Sequence, residues 1–302
     1  MARRYAIYDV FTEQALAGNP LAVVFDSDGL EAQTMQAIAR EFNLSETVFL
    51  APADNPAHSA RLRIFTPTHE IPFAGHPTVG AAIALAEQEP HAGAGADRLM
   101  VLEENIGPVR CALRLGEKPY AEFDLPQLPE PIALEGDKSA FAAALGVDGS
   151  DIGFENHTIS VWTGGNAFVF VPLAGLGIAE QVRLDMPLWL DVAPAVNGNK
   201  APVFAYCRET IRHDCAFHGR MFAPHMGVAE DPATGSAIAA FAGVITHFDG
   251  LADGPNAFLI EQGVEMGRPS QIRLEIDGKA GAIHAARIGG HAVRVADGTL
   301  GL

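Results

Sequence analysis

Short runs of apolar residues, many of them β-branched or aromatic, form two series of predicted elements that follow the same order. In the first half of the chain, three segments each predict a β-strand: AGNPLAVVF (17–25), SETVFLA (45–51) and RLRIFTP (61–67). In the second half, three similar segments do the same: GGNAFVFVP (164–172), APVFAYC (201–207) and GRMFAPH (219–225). This ordered recurrence predicts an internal repeat of two similar α/β halves.

Each series ends in a glycine-rich segment that passes into a helix of small apolar residues. The two segments are FAGHPTVGAAIALA (73–86) and DPATGSAIAA (231–240). The first N–H groups of a helix lack intrahelical acceptors and carry partial positive charge, so a helix start can bind an anion. Plain helix capping by Asp231, Thr234 or Ser236 explains one such segment equally well. Two of them in a repeated architecture favour a shared small acidic ligand.

The remaining pattern predicts scaffolding around these segments. Residues 31–43 have the spacing of an amphipathic helix, and residues 98–126 predict strands with turns at Gly107-Pro108 and Gly116-Glu117. Residues 270–300 alternate as a terminal β-meander, and the proline-rich segment 125–137 predicts a linker. We therefore expect an N-terminal half (1–124) and a C-terminal half (125–302). The pattern also allows the terminal strand to pack back on the first half.

Composition narrows the class of protein and the kind of partner. The chain has 302 residues, is 48% hydrophobic and carries a formal net charge of −17, which predicts a globular protein and argues against nucleic acid or an anionic membrane as partner. A small anionic substrate stays possible, because a local pocket can be positive on an acidic protein. No apolar stretch has the length of a membrane span, and polar residues interrupt any signal-peptide core, so we expect a cytoplasmic location.

Cofactor motifs do not stand out in the sequence. The three cysteines (Cys111, Cys207 and Cys215) form no CxxC pair, which predicts structural thiols in a reducing cytosol. The histidines of HEIPFAGH (69–76) have the wrong spacing for a zinc-binding HExxH motif, and HDCAFH (213–218) has no third ligand at metal-site spacing. The sequence therefore predicts neither a metal nor a nucleotide or flavin cofactor.

Two titratable residues near the predicted strand and helix starts are candidates for proton transfer. Glu46 lies at the mouth of an apolar strand, where burial is expected to raise its pKa toward the range useful for a proton shuttle. A capping or surface glutamate is the simpler explanation from spacing alone. His76 lies between Gly75 and Pro77 and could donate a proton to a substrate oxygen or tune a nearby acid. It could equally cap the helix or pack in the turn.

At these residues the chain closely resembles the phenazine-biosynthesis PhzF-like family. The matching segments are YDVFTEQALAGNPLAVV, LSETVFL, IFTPTHEIPFAGHPTVGAA, TGGNAFVFVP and EDPATGSAIAAFAGVI. The resemblance implies a diaminopimelate-epimerase-like α+β fold with two similar halves. Each half is expected to be a curved, mostly antiparallel sheet around a central helix, with the active site in the cleft between the halves. The resemblance also implies a homodimer that uses no cofactor.

The same resemblance implies the reaction and the residues that perform it. The family's best-understood activity isomerises trans-2,3-dihydro-3-hydroxyanthranilate by moving a proton between ring carbons. By resemblance Glu46 is the acid/base group, and His76 and Asp231 are further catalytic positions. The positions expected near the substrate's carboxylate and amino end are Ser45, Gly75, Gly235 and Ser236.

Three functions fit the sequence. The first is a cofactor-independent isomerase in which Glu46 removes a proton and returns it to a second carbon on the same face of the substrate. The second is an epimerase or racemase in which Glu46 opposes Asp231 or His76; two-thiol racemisation is disfavoured, because no cysteine lies in either helix start. The third is a non-catalytic protein that binds a small acid or a protein partner.

Overall fold

The computed structural model describes residues 2–88 and 97–302, and the chain divides into two compact units. Unit 1 is Met1–Pro126 together with Ile288–Leu302, and unit 2 is Gln127–Arg287. The sequence placed the boundary two residues earlier and allowed the terminal strand to pack back on the first half. Residues 288–302 lie with unit 1, because the last strand of the chain pairs with the first one there. None of the described helices has the length and apolar character needed to cross a membrane.

Unit 1 contains two helices and strands that pair mostly antiparallel. Its elements are β1 (Arg3–Val10), β2 (Asn19–Val24), α1 (Ala32–Phe42), β3 (Glu46–Ala51), β4 (Ala60–Phe65), β5 (Glu70–Ile71), α2 (Gly75–Glu87), β6 (Asp97–Glu104), β7 (Gly107–Arg114), β8 (Tyr120–Asp124) and the larger part of β19 (Ala282–Leu300). Strands β2 and β3 pair in parallel, and so do β4 and β6. Helix α1 confirms the helix predicted over 31–43. The predicted turn at Gly107-Pro108 is wrong by two residues, since Gly107 opens β7 and Asn105-Ile106 form the turn.

Helix α2 forms the core of unit 1. Nearly all of its residues are buried, because small and apolar side chains surround the whole helix. It packs against strands on several sides, β1, β2, β3, β7 and β8 among them. A Cβ atom at Gly80 would lie 2.4 Å from Cδ2 of Leu21 and 2.9 Å from Cγ2 of Val10, so glycine lets the helix approach the strands closely. The sheet therefore fixes the position of the helix start.

Unit 2 repeats this order of strands around a second buried helix. Its elements are β9 (Glu130–Ile132), α3 (Lys138–Leu145), β10 (Ser160–Thr163), β11 (Ala167–Pro172), α4 (Leu176–Ala179), α5 (Met186–Val192), β12 (Ala195–Val196), β13 (Asn199–Lys200), β14 (Val203–Cys207), β15 (Phe217–Ala223), β16 (Val228–Asp231), α6 (Gly235–Phe248), β17 (Gly254–Gln262) and β18 (Ser270–Lys279). Strands β11 and β14 pair in parallel, as do β15 and β17. These two parallel pairs correspond to β2–β3 and β4–β6 of unit 1.

Helix α6 is the counterpart of α2 in burial and surroundings. It packs against β10, β11 and β18, and ten of its residues are buried. Phe241 on the helix lies among aromatic side chains of the strands, with ring centroids 4.8 Å from Tyr206 and 5.0 Å from Phe217. Gly243 admits the indole of Trp162, which a Cβ atom would approach to 2.3 Å. Aromatic packing thus holds α6 where small aliphatic contacts hold α2.

A polar contact in unit 1 ties a strand to a connecting loop. Glu103, the second-last residue of β6, accepts hydrogen bonds from the backbone N–H groups of Asp54 (2.7 Å) and Asn55 (2.8 Å) in the β3–β4 connection. The same carboxylate lies 2.8 Å from Nδ1 of His58. A single side chain therefore satisfies two backbone donors that would otherwise need water.

Unit 2 contains an equivalent contact at the equivalent place. Glu261, the second-last residue of β17, accepts hydrogen bonds from the backbone N–H groups of Ile211 (2.7 Å) and Arg212 (3.0 Å) in the β14–β15 connection. Its carboxylate also lies 2.9 Å from Nδ1 of His218. The repeat therefore extends beyond strand order to individual polar contacts, which short apolar segments of sequence do not reveal.

Candidate functional site

In unit 1, a carboxylate and an imidazole meet where β3 and α2 begin. Glu46 is the first residue of β3, directly after Ser45, and its side chain is 17% exposed. Its Oε2 atom lies 3.5 Å from Nε2 of His76, the second residue of α2. Both residues were predicted from the sequence as candidates for proton transfer. The structure brings them together, with Glu46 partly accessible to solvent and His76 buried.

The surroundings of His76 determine its charge and its tautomer. Burial lowers the pKa of His76 to about 3, so the ring is neutral at ordinary pH. The side-chain amide nitrogen of Asn19, the first residue of β2, lies 3.3 Å from Nδ1 of the ring. Because that nitrogen can only donate, Nδ1 accepts and the ring proton resides on Nε2. The Nε2–H group of His76 therefore lies near the Glu46 carboxylate without forming a hydrogen bond to its Oε2 atom.

The start of α2 relies on a hydroxyl inside its first turn. Ala74 is the N-cap residue, and no side chain caps the helix there. The hydroxyl of Thr78 lies 2.8 Å from the Ala74 carbonyl oxygen and 2.7 Å from Oε1 of Glu104, the last residue of β6. Burial raises the pKa of Glu104 to about 8, although the Thr78 hydrogen bond lowers it. The buried acid Glu104 thus contacts, through Thr78, the turn that carries Gly75 and His76.

In unit 2, Asp231 ends β16 close to the start of α6. Its side chain is buried, and the Thr234 hydroxyl donates a hydrogen bond of 2.6 Å to Oδ2. Thr234 is the N-cap residue of α6, yet its side chain does not cap the helix, and Gly235 and Ser236 follow as the first helical residues. The capping explanation offered by the sequence is therefore wrong for Thr234. Its hydroxyl orients Asp231 instead.

Gln262 holds this segment in place from the end of β17. Its amide nitrogen donates to the Asp231 carbonyl oxygen (2.7 Å) and to the Thr234 hydroxyl (3.0 Å), while its amide oxygen accepts from the Thr234 N–H (3.1 Å). The following residue, Gly263, has φ +75°, and a Cβ there would lie 2.6 Å from the Pro232 carbonyl oxygen. The segment before α6 is therefore packed directly against the end of β17.

The seven predicted site residues form two groups, one in each unit. Unit 1 brings Glu46 and His76 into contact, with Ser45 and Gly75 adjacent in sequence; unit 2 places Asp231 three residues before Thr234, with Gly235 and Ser236 at the helix start. That the two groups share one substrate stays a prediction. Sequence reasoning missed several residues that hold these groups: Asn19, Thr78, Glu104, Thr234 and Gln262. Asn19 lies in the segment AGNPLAVVF, where the pattern predicts a strand but no role beside His76.

A separate acidic cluster has the composition of a cation site. Ligand atoms of Glu155, His157 and Asp249 in unit 2 lie within 4.8 Å of one another. The Arg208 guanidinium already donates to Glu155 (3.1 Å) and to Asp249 (2.7 Å). Its positive charge occupies the place that a metal ion would take, so the cluster is a salt-bridge network.

The thiols are free and poorly suited to act as bases. Cys111 and Cys207 are buried, and Cys215 is partly buried. Burial raises the pKa of all three, to about 12 for Cys207 and Cys215 and higher for Cys111. These surroundings favour the structural role expected from the sequence.

Comparison with known proteins identifies the family. Residues 8–298 match the model of a family described as phenazine biosynthesis-like protein. An uncharacterized isomerase of Mesorhizobium japonicum is 58% identical over 99% of this chain and 98% of its own length. The trans-2,3-dihydro-3-hydroxyanthranilate isomerase of Pseudomonas aeruginosa is 36% identical over 98% of both chains. A solved structure of a Bacillus anthracis phenazine biosynthesis protein of the PhzF family superposes with a TM-score of 0.90 over 100% of both chains, at 25% identity.

Proposed function

The chain belongs to the phenazine biosynthesis-like protein family and is an isomerase, and we propose that it moves a proton within a small unsaturated amino or hydroxy acid, with Glu46 as the acid/base group. The observation that carries this proposal is the contact between the Glu46 carboxylate and the neutral His76 ring, 3.5 Å apart at Nε2. A relative that is 36% identical is named for trans-2,3-dihydro-3-hydroxyanthranilate, which makes a compound of that kind the first substrate to test.

In the proposed reaction, Glu46 removes a proton from a carbon of the substrate and returns it to a second carbon of the same conjugated system. The electron pair of the broken C–H bond shifts along the double bond, so no oxidant or reductant is needed. One carboxylate performs both steps because both carbons present the same face to it. The neutral His76 ring supports the process from a position 3.5 Å from Glu46 Oε2, a contact that does not meet hydrogen-bond geometry.

The remaining predicted residues keep the roles that the family resemblance implies. We propose Asp231 as a further catalytic group, oriented by the Thr234 hydroxyl at 2.6 Å. Backbone N–H groups at helix starts are suited to a carboxylate, which supports Gly75, Gly235 and Ser236, with Ser45, as substrate-binding positions. The diaminopimelate-epimerase-like architecture is supported by the matching parallel strand pairs and by the matching roles of Glu103 and Glu261.

NMR of trans-2,3-dihydro-3-hydroxyanthranilate in deuterated buffer tests the proposal. The wild-type protein should consume the substrate and place deuterium at the carbon that receives the proton, whereas Glu46→Gln should leave the substrate unchanged. Glu41→Gln, an exposed glutamate on α1, is the matched control and should behave as wild type. Deuterium at an inverted stereocentre of an otherwise unchanged substrate would instead establish an epimerase. No reaction with either protein would exclude this substrate, and full activity of Glu46→Gln would exclude Glu46 as the base.

A further inference from the structure

We propose that Glu104 is a positioning residue for the His76 turn and that it acts as a neutral carboxylic acid, donating its proton to the Thr78 hydroxyl so that Thr78 can donate to the Ala74 carbonyl. This inference rests on the proposed function, because the turn concerned carries Gly75 and His76. It adds a residue outside the predicted site, located at the end of β6.

Counting protons at Thr78 leads to this assignment. A threonine hydroxyl has one proton, yet Oγ1 lies within hydrogen-bonding distance of two oxygen atoms: the Ala74 carbonyl at 2.8 Å and Glu104 Oε1 at 2.7 Å. A carbonyl can only accept, so an ionised Glu104 would leave one of these contacts without a proton. A neutral Glu104 donates to Oγ1, and Thr78 then donates to Ala74. Both short contacts are satisfied only in this arrangement.

The second carboxyl oxygen supports the same protonation state. Oε2 of Glu104 is buried and has no hydrogen-bond partner within residues 2–88 and 97–302. A buried ionised oxygen without a donor is far more costly than the corresponding oxygen of a neutral acid. Burial accordingly raises the pKa of Glu104 to about 8, so the acid keeps its proton at neutral pH.

Among the described residues, the charged and titratable groups around Glu104 include no counterion for it. On the buried face, β7 contributes Cys111, whose pKa is raised by burial and further by Glu104 and Asp124, and α2 contributes His76, whose pKa is set by burial. The cationic side chains of the adjacent strands alternate with buried residues and so lie on the opposite face: Arg61 and Arg63 on β4, and Arg110 on β7. Deprotonation would therefore place an uncompensated charge beneath the helix start.

The chain of hydrogen bonds ends at the residue that precedes Gly75 and His76. The Ala74 carbonyl accepts from the Thr78 hydroxyl and from the Thr78 N–H, the latter at 3.2 Å. These two bonds close the first turn of α2, where no side chain caps the helix. Loss of the Glu104 proton forces Thr78 to choose between two acceptors, which loosens the turn and moves His76 relative to Glu46.

Backbone amide NMR of the full-length protein between pH 6 and 10 tests the proposal without requiring a substrate. In wild type, the amide signals of Gly75, His76 and Thr78 should shift together with a midpoint near 8. In Glu104→Gln, whose amide can donate to Thr78, these signals should keep the wild-type low-pH positions and show no such transition. In Glu104→Ala the transition should also be absent, but the signals should start from different positions because no donor remains.

Two outcomes would overturn the proposal: amides of the turn that do not titrate in wild type, or a transition that persists in Glu104→Gln. If Glu104→Gln fails to fold, the carboxyl ¹³C signal of Glu104 in wild type decides, since a midpoint near its ordinary value would refute a neutral acid. Once a substrate is known, Glu104→Gln should retain its turnover at pH 9.5, where wild type loses most of its own. Failure to find a substrate leaves the amide result intact, so the two proposals fail separately.

Discussion

The helices α2 and α6 start at equivalent places in the two units, but different chemistry holds each start. In both units the last residue of a strand reaches a threonine in or next to the first turn: Glu104 contacts Thr78, and Gln262 contacts Thr234. An amide supplies its donors at any pH, whereas a carboxyl group supplies one only while it is protonated. The start of α2 is therefore sensitive to pH through the contact of Glu104 with Thr78. The start of α6 has no such sensitivity through the contact of Gln262 with Thr234, although the architecture is the same.

The largest expected effect is on kcat, and it distinguishes the catalytic role of Glu46 in unit 1 from that of Asp231 in unit 2. Glu46→Gln should lower kcat by about 10²–10⁴-fold, the usual contribution of a positioned acid/base group. Asp231→Asn should lower kcat less, because an asparagine in the same place can still accept from Thr234. Steady-state kinetics on an identified substrate, with circular dichroism to establish folding, measures both. A greater loss for Asp231→Asn than for Glu46→Gln would assign the base to unit 2.

The second effect is on stability and concerns Glu103 and Glu261, the equivalent carboxylates that accept hydrogen bonds from connecting loops. Glu261→Gln should destabilise the protein by about 1–3 kcal/mol, because it replaces a buried charged acceptor, although His218 keeps Glu265 as a second carboxylate partner at 2.9 Å. Glu103→Gln should cost less, since the Glu103 side chain is 16% exposed and water can serve the freed donors. Urea denaturation of both variants gives the difference. Equal costs would show that burial does not distinguish the two contacts.

The third effect exchanges the strand-end residues of the two units. The pKa of Glu104 is about 8 in the folded protein, against an ordinary value of 4.5 for a glutamate in the unfolded chain. The folded state therefore holds an extra proton between these values, and stability falls as pH rises through that window. In Glu104→Gln, the free energy of unfolding should fall less steeply with rising pH than in wild type, by up to about 1.4 kcal/mol per pH unit. Gln262→Glu should add a slope of the same sign in unit 2.

Urea denaturation at several pH values between 5 and 9 measures these slopes. His218 contributes to the wild-type slope as well: burial lowers its pKa, but hydrogen bonds to Glu261 and Glu265 outweigh burial and raise it to about 9. The stability that this pair provides is therefore lost as pH rises toward 9. Because His218 is present in every variant, the difference between wild type and Glu104→Gln isolates Glu104. Parallel curves for the two proteins would contradict the assignment of a neutral acid.

The smallest effect tests which part of each threonine matters. Thr78→Ser and Thr234→Ser keep the hydroxyl and should each change the free energy of unfolding by less than about 1 kcal/mol, whereas Thr78→Val and Thr234→Val leave buried polar partners unsatisfied and should each cost about 1–3 kcal/mol. Thermal and urea denaturation of the four variants gives the comparison. A serine variant as unstable as its valine counterpart would show that the methyl group, rather than the hydroxyl, is what each site requires.

Local sequence predicted the elements that place the candidate site. The short apolar run in SETVFLA predicted the strand that begins at Glu46, and the small apolar residues after Gly75 predicted the buried helix α2. Sequence reasoning was weaker at element ends, as the shifted turn before Gly107 shows, because the hydrogen bond from the Ile106 N–H to the Pro72 carbonyl depends on a distant segment. The sequence pattern allowed the terminal strand to pack back on the first half, but it did not show that one strand, β19, would begin in unit 2 and end in unit 1.

The sequence by itself determined the repeat, the two helix starts and the motif residues Glu46, His76 and Asp231, because these depend on short-range periodicity and on segments shared with a family. Tertiary structure alone decided the chemical state of those residues. The partners that set it lie far away along the chain: Asn19 is 57 residues from His76, Thr78 is 26 from Glu104, and Gln262 is 31 from Asp231. Protonation and tautomer follow from burial and from the donors at hand, which exist only once distant strands and helices are packed together.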